Sequence, residues 1–344
     1  MPKPRRLQII KRIQQERGTH LIAYVTSTRR GMEVQMAMDS LRKIYDHLKL
    51  IRAPKRKANI DLFLHSDGGD GTVPWRLVTL IREYAAKFSV LVPHRAFSAA
   101  TLTALGADRI LMHPMGMLGP TDPTVANQFN PRDPTNPTQP IGISVEDVTA
   151  YIALIKEDAG IQHEDQLVQA VAKLAEHVHP LALGNVKRSL SQSRMMAKKL
   201  LSLHMDSRQN EHEINEIVDN LTSKLFFHGH PINRREAKDQ VGLRTIEDPS
   251  LRVEQLMWNL YLDYEREIRM EDPFQPAQEF VAQFPNQKPG DFAVTPVATA
   301  KLAFIESEKR TDVATIEYEL AGHKGPDGIT KVSTIHRHQG WTLE

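Results

Sequence analysis

The chain of 344 residues contains no cysteine. This absence excludes disulfide bonds, a cysteine nucleophile and thiolate metal ligands, so any chemistry falls to serine, histidine, lysine and carboxylate side chains. No apolar run approaches the roughly 20 residues that a membrane-spanning helix needs. In a secretion signal an apolar segment follows the basic N-terminus, and the sequence has no such segment there. We therefore expect a cytoplasmic protein without a membrane span.

A marked excess of one charge is also missing, since 44 Lys and Arg residues stand against 42 Asp and Glu residues. Polyanion-binding proteins usually carry a stronger basic excess, so nucleic acid is not expected as a partner. The sequence does have a local basic patch, which we interpret as the solvated face of a helix. Its members are Lys3, Arg5, Arg6, Lys11 and Arg12.

Apolar runs and helical stripes alternate over the first third of the chain. The pattern predicts strands at 20–27, 60–65, 88–93 and 110–113, with helices at 32–50, from 73 onward and at 98–107. Strands that alternate with helices at this spacing predict an α/β fold with a parallel sheet and βαβ crossovers. Ligands bind beyond the carboxyl ends of the strands in such sheets.

Three parts are predicted along the sequence. A basic helix occupies 1–18, an α/β domain with a helical second half occupies 19–245, and an α+β extension occupies 246–344. We expect the extension to hold a long helix at 251–270 and a hairpin built from 315–320 and 331–335.

Two short segments after neighbouring strands have the features of an acyl-transfer site. Ser98 enters a helix after a strand and a tight turn, where the helix N-terminus favours developing negative charge. Gly68 and Gly69 end the preceding strand, where glycine exposes N–H groups without a side chain in the way. Together with the Ala99 amide, this bend can hold an acyl oxyanion. A helix cap at Ser98 and an ordinary tight turn are the alternatives.

The stretch from Ile60 to Pro123 resembles the core of the serine dehydrogenase proteinase family, a relative of signal peptide peptidase A and of the Clp protease. Its shared features are Gly68-Gly69 and the stretch Ala96-Phe97-Ser98-Ala99-Ala100, and weaker similarity covers roughly 19–243. The resemblance implies a Clp-protease/crotonase-like fold, a polypeptide substrate, a homo-oligomer and Ser98 as nucleophile. Relatives usually have proline where this chain has Asp67.

A serine nucleophile needs a base within hydrogen-bond reach. The resemblance implies either a lysine, as in signal peptide peptidase A, or a His-Asp pair, as in the Clp protease. Lys187 is favoured, because Gly184-x-x-Lys187 resembles the lysine motif. The alternatives are Lys156, His113, His94 and, as an orienting acid, Asp122.

No cofactor or metal is expected. The sequence has neither a GxGxxG nor a GxxxxGK[ST] phosphate loop, and its histidine pairs have i,i+2 spacing without a carboxylate cluster. The predicted function is hydrolysis of peptide bonds by a serine peptidase. Two alternatives stay open. One is a crotonase-like enzyme that acts on acyl thioesters without a serine, and the other is an inactive scaffold of the same fold. Asp67 and the unassigned base are the reasons to consider the inactive scaffold.

Overall fold

The computed structural model describes residues 3–51, 57–121, 124–125, 127–133, 141–224 and 229–344. Its strands are β1 His20–Thr26, β2 Ala58–His65, β3 Ala85–Val92, β4 Arg95–Ala96, β5 Arg109–Met112, β6 Met117–Leu118, β7 Thr124–Val125, β8 Ile143–Ser144, β9 Ile232–Asn233, β10 Ile246–Glu247, β11 Phe292–Val294, β12 Ala298–Ser307, β13 Arg310–Lys324 and β14 Thr330–Leu343. Its helices are α1 Pro4–Arg17, α2 Asp39–Leu50, α3 Val73–Tyr84, α4 Ala99–Leu105, α5 Val145–Ala153, α6 Glu164–His177, α7 Pro180–Leu201, α8 Glu211–Asp219, α9 Arg234–Asp239, α10 Leu251–Ile268 and α11 Pro276–Gln283. The π-helical turns Leu154–Asp158 and Asn220–Lys224 follow α5 and α8.

A large mixed sheet lies at the centre of the fold, in the order β10-β5-β3-β2-β1-β12-β13-β11, and β14 pairs with β13. The strands from β10 to β1 run parallel to their neighbours. Helix α2 connects β1 to β2, and α3 connects β2 to β3, as in parallel crossover units. The predicted α/β fold with a parallel sheet is confirmed.

The parallel strands are buried on both faces, which explains why they read as continuous apolar runs. Along β2, Leu62 and Leu64 pack with α3, α4 and α7, whereas Phe63 packs with α1 and α10. Successive side chains of a strand point to opposite faces, so this alternation defines the two faces of the sheet. We call them the α4 face and the α10 face.

Helix α1 departs from the prediction of a solvated basic face. Lys3 and Arg5 are 59% and 62% exposed, but Arg6 is only 1% exposed. The Arg6 guanidinium lies 3.1 Å from Asp263 and 2.7 Å from Glu306. The prediction is wrong for Arg6, because its acidic partners come from α10 and β12, far away in the sequence.

The helix predicted over 32–50 is also too long, since α2 begins at Asp39. The residues before α2 pair with the glycine bend instead. The Met36 amide donates to the Gly68 carbonyl at 2.7 Å, and the Met36 carbonyl accepts from Asp70 at 2.9 Å. These hydrogen bonds keep the segment extended beside the bend. A helix in the same place could not form them.

The C-terminal extension continues the central sheet. Strand β12 pairs antiparallel with β1, with Tyr24 opposite Ile305, and β13 and β14 follow in antiparallel order. The predicted hairpin is present as β13 and β14. The domain boundary predicted at residue 246 stays a prediction. Strands from both sides of residue 246 share one sheet.

Candidate active site

Ser98 lies between β4 and α4 with φ 50° and ψ −113°. Positive φ in a non-glycine residue costs of order 1–3 kcal/mol and persists only where the surroundings impose it. Within the described residues, Arg269 is the one other non-glycine residue with this feature. The Ser98 side chain is partly exposed, while Ala99 and Ala100 behind it are buried. The serine is therefore held in a strained turn at the end of a strand.

Hydrogen bonds between the ends of β2 and β4 impose this position. The Ser66 amide donates to the Arg95 carbonyl at 2.9 Å, and the Phe97 amide donates to the Ser66 carbonyl at 2.9 Å. The Leu102 amide then donates to the Ser98 carbonyl at 3.0 Å and starts α4. Ser98 is thus fixed directly beside the end of β2.

The glycine pair lets the backbone of the bend approach Ser98 closely. A Cβ atom added at Gly68 would lie 2.8 Å from the Ser98 Cβ and 3.0 Å from the Ala99 nitrogen. One added at Gly69 would lie 2.4 Å from the Met36 carbonyl oxygen. Both glycines have positive φ, 101° and 151°. Only glycine meets both requirements, the close approach and the left-handed backbone.

The backbone N–H groups of Gly69 and Ala99 are the candidates for binding an anionic oxygen near Ser98. The pairing with Met36 uses the Gly68 carbonyl and the Asp70 amide, so it does not use the N–H of Gly69. Ala99 is the first residue of α4, and the first N–H groups of a helix have no intrahelical acceptor. Such donors can stabilise the oxyanion of an acyl-transfer reaction.

A cavity of about 500 Å³ opens beside Ser98. Helix α7 forms one wall through residues spaced three and four apart, as expected for one face of a helix. The lining residues are Gln35, Asp67, Gly69, Asp70, Gly71, Thr72, Ser98, Leu102, Thr121, Ser189, Gln192 and Ser193. We call this space the Ser98 cavity.

The candidate lysine bases lie elsewhere in the structure. Lys187 is exposed on α7, and the cavity-lining residues of that helix are Ser189, Gln192 and Ser193. Lys156 is exposed in the π-helical turn and lines a separate groove with α6. Asp122 lies outside the described residues. The described lining of the Ser98 cavity thus contains neither lysine nor histidine.

The two candidate histidines pack against α10. The His113 ring stacks on Trp258 with 4.9 Å between centroids, and its Nδ1 accepts from the Met115 amide at 3.0 Å. Nδ1 of His94 lies 2.9 Å from the Tyr261 hydroxyl. Neither histidine lines the Ser98 cavity. Their observed contacts connect the sheet to α10.

The sequence prediction overlooked a third histidine of this cluster, His65. Its ring is fully buried and stacks on His94 with 5.8 Å between centroids. Within the described residues its Nε2 has no hydrogen-bond partner. Burial, and then the charges of His94 and Arg95, lower the pKa of His65 to about 3. The period-two pattern of β2, which places position 65 on the same face as Phe63, was the available signal.

These histidines make stability dependent on pH. Burial, and then Arg95 and His113, lower the pKa of His94 to about 4. Because the folded state binds fewer protons than the unfolded state below pH 6.5, the free energy of unfolding should fall on acidification. The fully buried His65 contributes a loss of about 2 kcal/mol between pH 7 and pH 5, and the partly exposed His94 contributes less, because solvent screens its charge.

Between pH 7 and pH 5, the free energy of unfolding of His65→Phe protein should fall by about 2 kcal/mol less than that of the wild type, because a phenylalanine ring cannot take up a proton. The measurement is urea unfolding at pH 7, 6 and 5. His212→Phe, which changes an exposed ring on α8, is the matched control and should keep the wild-type slope. If the free energy of unfolding of His65→Phe protein fell with pH as steeply as that of the wild type, the lowered pKa of His65 would be contradicted.

Asp67 lies in the Ser98 cavity. The Arg95 Nε lies 3.3 Å from its carboxylate, and the Arg95 guanidinium is 4.9 Å from the centroid of the Phe97 ring. Burial raises the pKa of Asp67, Arg95 opposes this, and the charge of Glu33 adds to it. The cavity therefore contains a carboxylate that one arginine partly offsets.

Among the described residues no group of three or more His, Asp or Glu side chains is arranged to hold a metal ion. No helix formed by them combines the length and the apolar character needed to cross a membrane.

Comparison with known proteins supports a peptidase. The family described as ClpP-like SDH-type serine proteinase matches residues 3–178, just over half of the chain. An uncharacterized protein of Methanocaldococcus jannaschii is 24% identical over 239 residues, which cover 68% of this chain and 70% of the relative. A second uncharacterized protein of that organism is 27% identical over 222 residues, 64% of each chain and so less than two thirds of the relative's length. The family match covers the glycine bend and Ser98. The chain belongs to the ClpP-like SDH-type serine proteinases.

Proposed function

We propose that this chain hydrolyses peptide bonds with Ser98 as the nucleophile. The observation that carries the proposal is the strained Ser98, which touches the glycine bend and faces a cavity. A structural serine at a helix entrance has no need of positive φ. The strain is consistent with a hydroxyl held in position for attack.

In the proposed reaction the Ser98 oxygen attacks the peptide carbonyl and loses its proton to a base. The carbonyl oxygen takes up the negative charge and is held by the N–H groups of Gly69 and Ala99, with Gly68 shaping the bend. The C–N bond then breaks, the amine leaves with a proton, and water hydrolyses the acyl-enzyme. A polypeptide substrate, a homo-oligomeric assembly and a cytoplasmic location belong to the same proposal.

The Ser98–Lys187 dyad rests on the resemblance, and the exposed position of Lys187 adds no support to it. If the dyad is correct, Lys187→Met should lower kcat by at least about 100-fold, because the Ser98 hydroxyl then has no base to take its proton. Lys198→Met, the same change at another exposed lysine of α7, is the control. Retention of activity within a few-fold in Lys187→Met would eliminate this lysine and leave the nucleophile assignment intact.

The nucleophile is tested by labelling with a fluorophosphonate probe, followed by peptide mapping. We expect one adduct, on Ser98, and none in Ser98→Ala protein. An intact protein that is never labelled at Ser98 would favour the inactive scaffold. Thioester turnover that persists in Ser98→Ala would favour the crotonase-like reaction, which needs no serine.

A further inference from the structure

Ser66, the residue after β2, is hydrogen-bonded to both halves of the proposed active site. Its backbone holds the serine side, because its amide donates to Arg95 and its carbonyl accepts from Phe97, both at 2.9 Å. Its hydroxyl holds the glycine side, because it accepts from the Gly68 amide at 3.1 Å. Ser66 is fully buried. It therefore links the turn that carries Ser98 to the glycine bend.

The Thr26 side chain supports the Ser66 hydroxyl. Strands β1 and β2 pair in parallel with Val25 opposite His65, so the next residues of the two strands, Thr26 and Ser66, lie side by side. The Thr26 hydroxyl donates to the Ser66 oxygen at 2.8 Å. Thr26 is 1% exposed. Both hydroxyls are out of contact with solvent, so water does not compete for this hydrogen bond.

The hydrogen bond from Gly68 to the Ser66 hydroxyl closes a local turn. A serine oxygen that accepts from the amide two residues later takes the place of the carbonyl in a backbone turn. The bond occupies the Gly68 N–H, so this group is not free for an oxyanion. The next amide, that of Gly69, is the group proposed to bind the oxyanion. Ser66 thus lies one peptide away from the group that would contact the substrate.

The peptide between the two glycines carries this constraint from Gly68 to Gly69. The Gly68 carbonyl accepts from the Met36 amide at 2.7 Å. The peptide is trans, and in a trans peptide the carbonyl and the following N–H point in opposite directions. The Gly69 N–H is therefore directed away from Met36. Because Ser66 holds the amide of Gly68 and Met36 holds its carbonyl, the orientation of the Gly69 N–H is fixed from both ends.

We propose that Ser66, supported by Thr26, is a positioning residue of the oxyanion site. Its hydroxyl keeps the bend in the conformation in which the Gly69 N–H faces the negative charge that develops next to Ser98. The inference rests on the proposed function of Ser98. Ser66 acts through the bend and contacts neither the substrate nor the reacting atoms. Preorganised donors stabilise a transition state because they need not reorient during the reaction, so a loosened bend should slow the chemical step.

The first test compares steady-state kinetics of full-length variants on a peptide that the wild type cleaves. Ser66→Ala removes the acceptor of the Gly68 N–H and should lower kcat at least about 10-fold with KM within about 3-fold of the wild type, because the lost contribution belongs to the transition state. Thr26→Val removes the supporting donor and should lower kcat by about 3-fold or more. Thr26→Ser keeps the hydroxyl and should retain at least about half of the wild-type kcat.

The control removes a buried hydroxyl that is distant from the site. Thr311 is fully buried and donates to Glu306 at 2.9 Å. Thr311→Val should lower the melting temperature, because a buried hydrogen bond is lost, and should leave kcat within about 2-fold of the wild type. A Ser66→Ala protein that melts earlier but keeps the wild-type kcat would overturn the inference. Equal kcat values of Thr26→Val and Thr26→Ser protein would also overturn it, and this comparison does not depend on the folding of Ser66→Ala protein.

The second test observes the bend itself by NMR, without turnover. Gly68-Gly69 is the one glycine pair in the sequence, so protein with carbon-13 and nitrogen-15 in its glycines gives one amide signal coupled to a labelled carbonyl, that of Gly69. A peptide boronate, whose bound form mimics the tetrahedral intermediate, should move this signal in the wild type. Ser66→Ala should move the signal in the free protein and reduce its response to the boronate, whereas Thr311→Val should do neither.

The positioning role and the proposed function fail separately. A wild-type protein that forms the Ser98 adduct and cleaves peptides, with the same Gly69 signal in wild-type and Ser66→Ala protein, refutes the positioning role alone. A wild-type protein that forms no adduct and cleaves no peptide, with a Gly69 signal that moves in Ser66→Ala protein, refutes the peptidase reaction and supports Ser66 as the residue that holds the bend.

Discussion

In Ser98→Ala protein, peptide hydrolysis should fall by at least about 1000-fold, with folding and stability nearly unchanged. Removal of a serine nucleophile eliminates the covalent route, and only the oxyanion donors and substrate binding remain. Stability should change little, because Ser98 is partly exposed and alanine meets the same backbone strain as serine at this position.

The measurement compares kcat/KM for the wild type and the variant on a peptide that the wild type cleaves, with thermal unfolding as the check on folding. Ser202→Ala makes the same chemical change at an exposed position near the end of α7 and should retain full activity. Peptidase activity in Ser98→Ala within 10-fold of the wild type would exclude Ser98 as the nucleophile.

In Arg6→Met protein, the free energy of unfolding should fall by about 3–5 kcal/mol. Removal of one member of a buried ion pair leaves its partner as an uncompensated charge. Glu306 is fully buried, and without Arg6 its described partners are the hydroxyls of Tyr264 at 2.5 Å and Thr311 at 2.9 Å. Neither hydroxyl carries a compensating positive charge.

Two further variants separate charge from packing. Arg5→Met changes the neighbouring, 62% exposed arginine and should alter stability by less than about 1 kcal/mol. Adding Glu306→Gln to Arg6→Met removes the stranded charge and should recover part of the loss. Urea unfolding at pH 7 measures all three. Equal stabilities of the Arg6→Met and Arg5→Met proteins would show that the buried pair has no energetic role.

The parallel half of the sheet was predictable because its strands are short apolar runs bounded by turn residues. Leu62, Phe63 and Leu64 are buried on alternating faces of β2, so no polar position interrupts the run. The serine and the glycine bend were predictable for a similar reason. Both need particular residue types at fixed places after a strand, and this local requirement is visible in the sequence.

The rest depends on contacts between distant segments. Strand β12 joins the sheet by pairing Tyr24 with Ile305, about 280 residues apart, and no local pattern in either strand specifies that partner. The burial of Arg6 likewise depends on acidic residues of α10 and β12. The start of α2 at Asp39 depends on the glycine bend, whose hydrogen bonds override the helical pattern of the preceding residues.

The candidate bases show the same limit. Lys187 was selected for a local motif, but the rotation of α7 directs Ser189 and Gln192 to the cavity. His113 was selected as a strand-end histidine and His94 as a residue of the turn before the serine. The alternation of the strands places them against α10, so proximity in sequence did not predict a shared pocket.

The arrangement of Ser98 and the two amides is tested most directly by a crystal structure of the protein with a peptide boronate, which mimics the tetrahedral intermediate. We expect a bond from boron to the Ser98 oxygen, with one boronate oxygen about 3 Å from the nitrogens of Gly69 and Ala99. A boronate that bonds to another residue, or that bonds to Ser98 with its oxygens turned away from both amides, would contradict the proposed catalytic site.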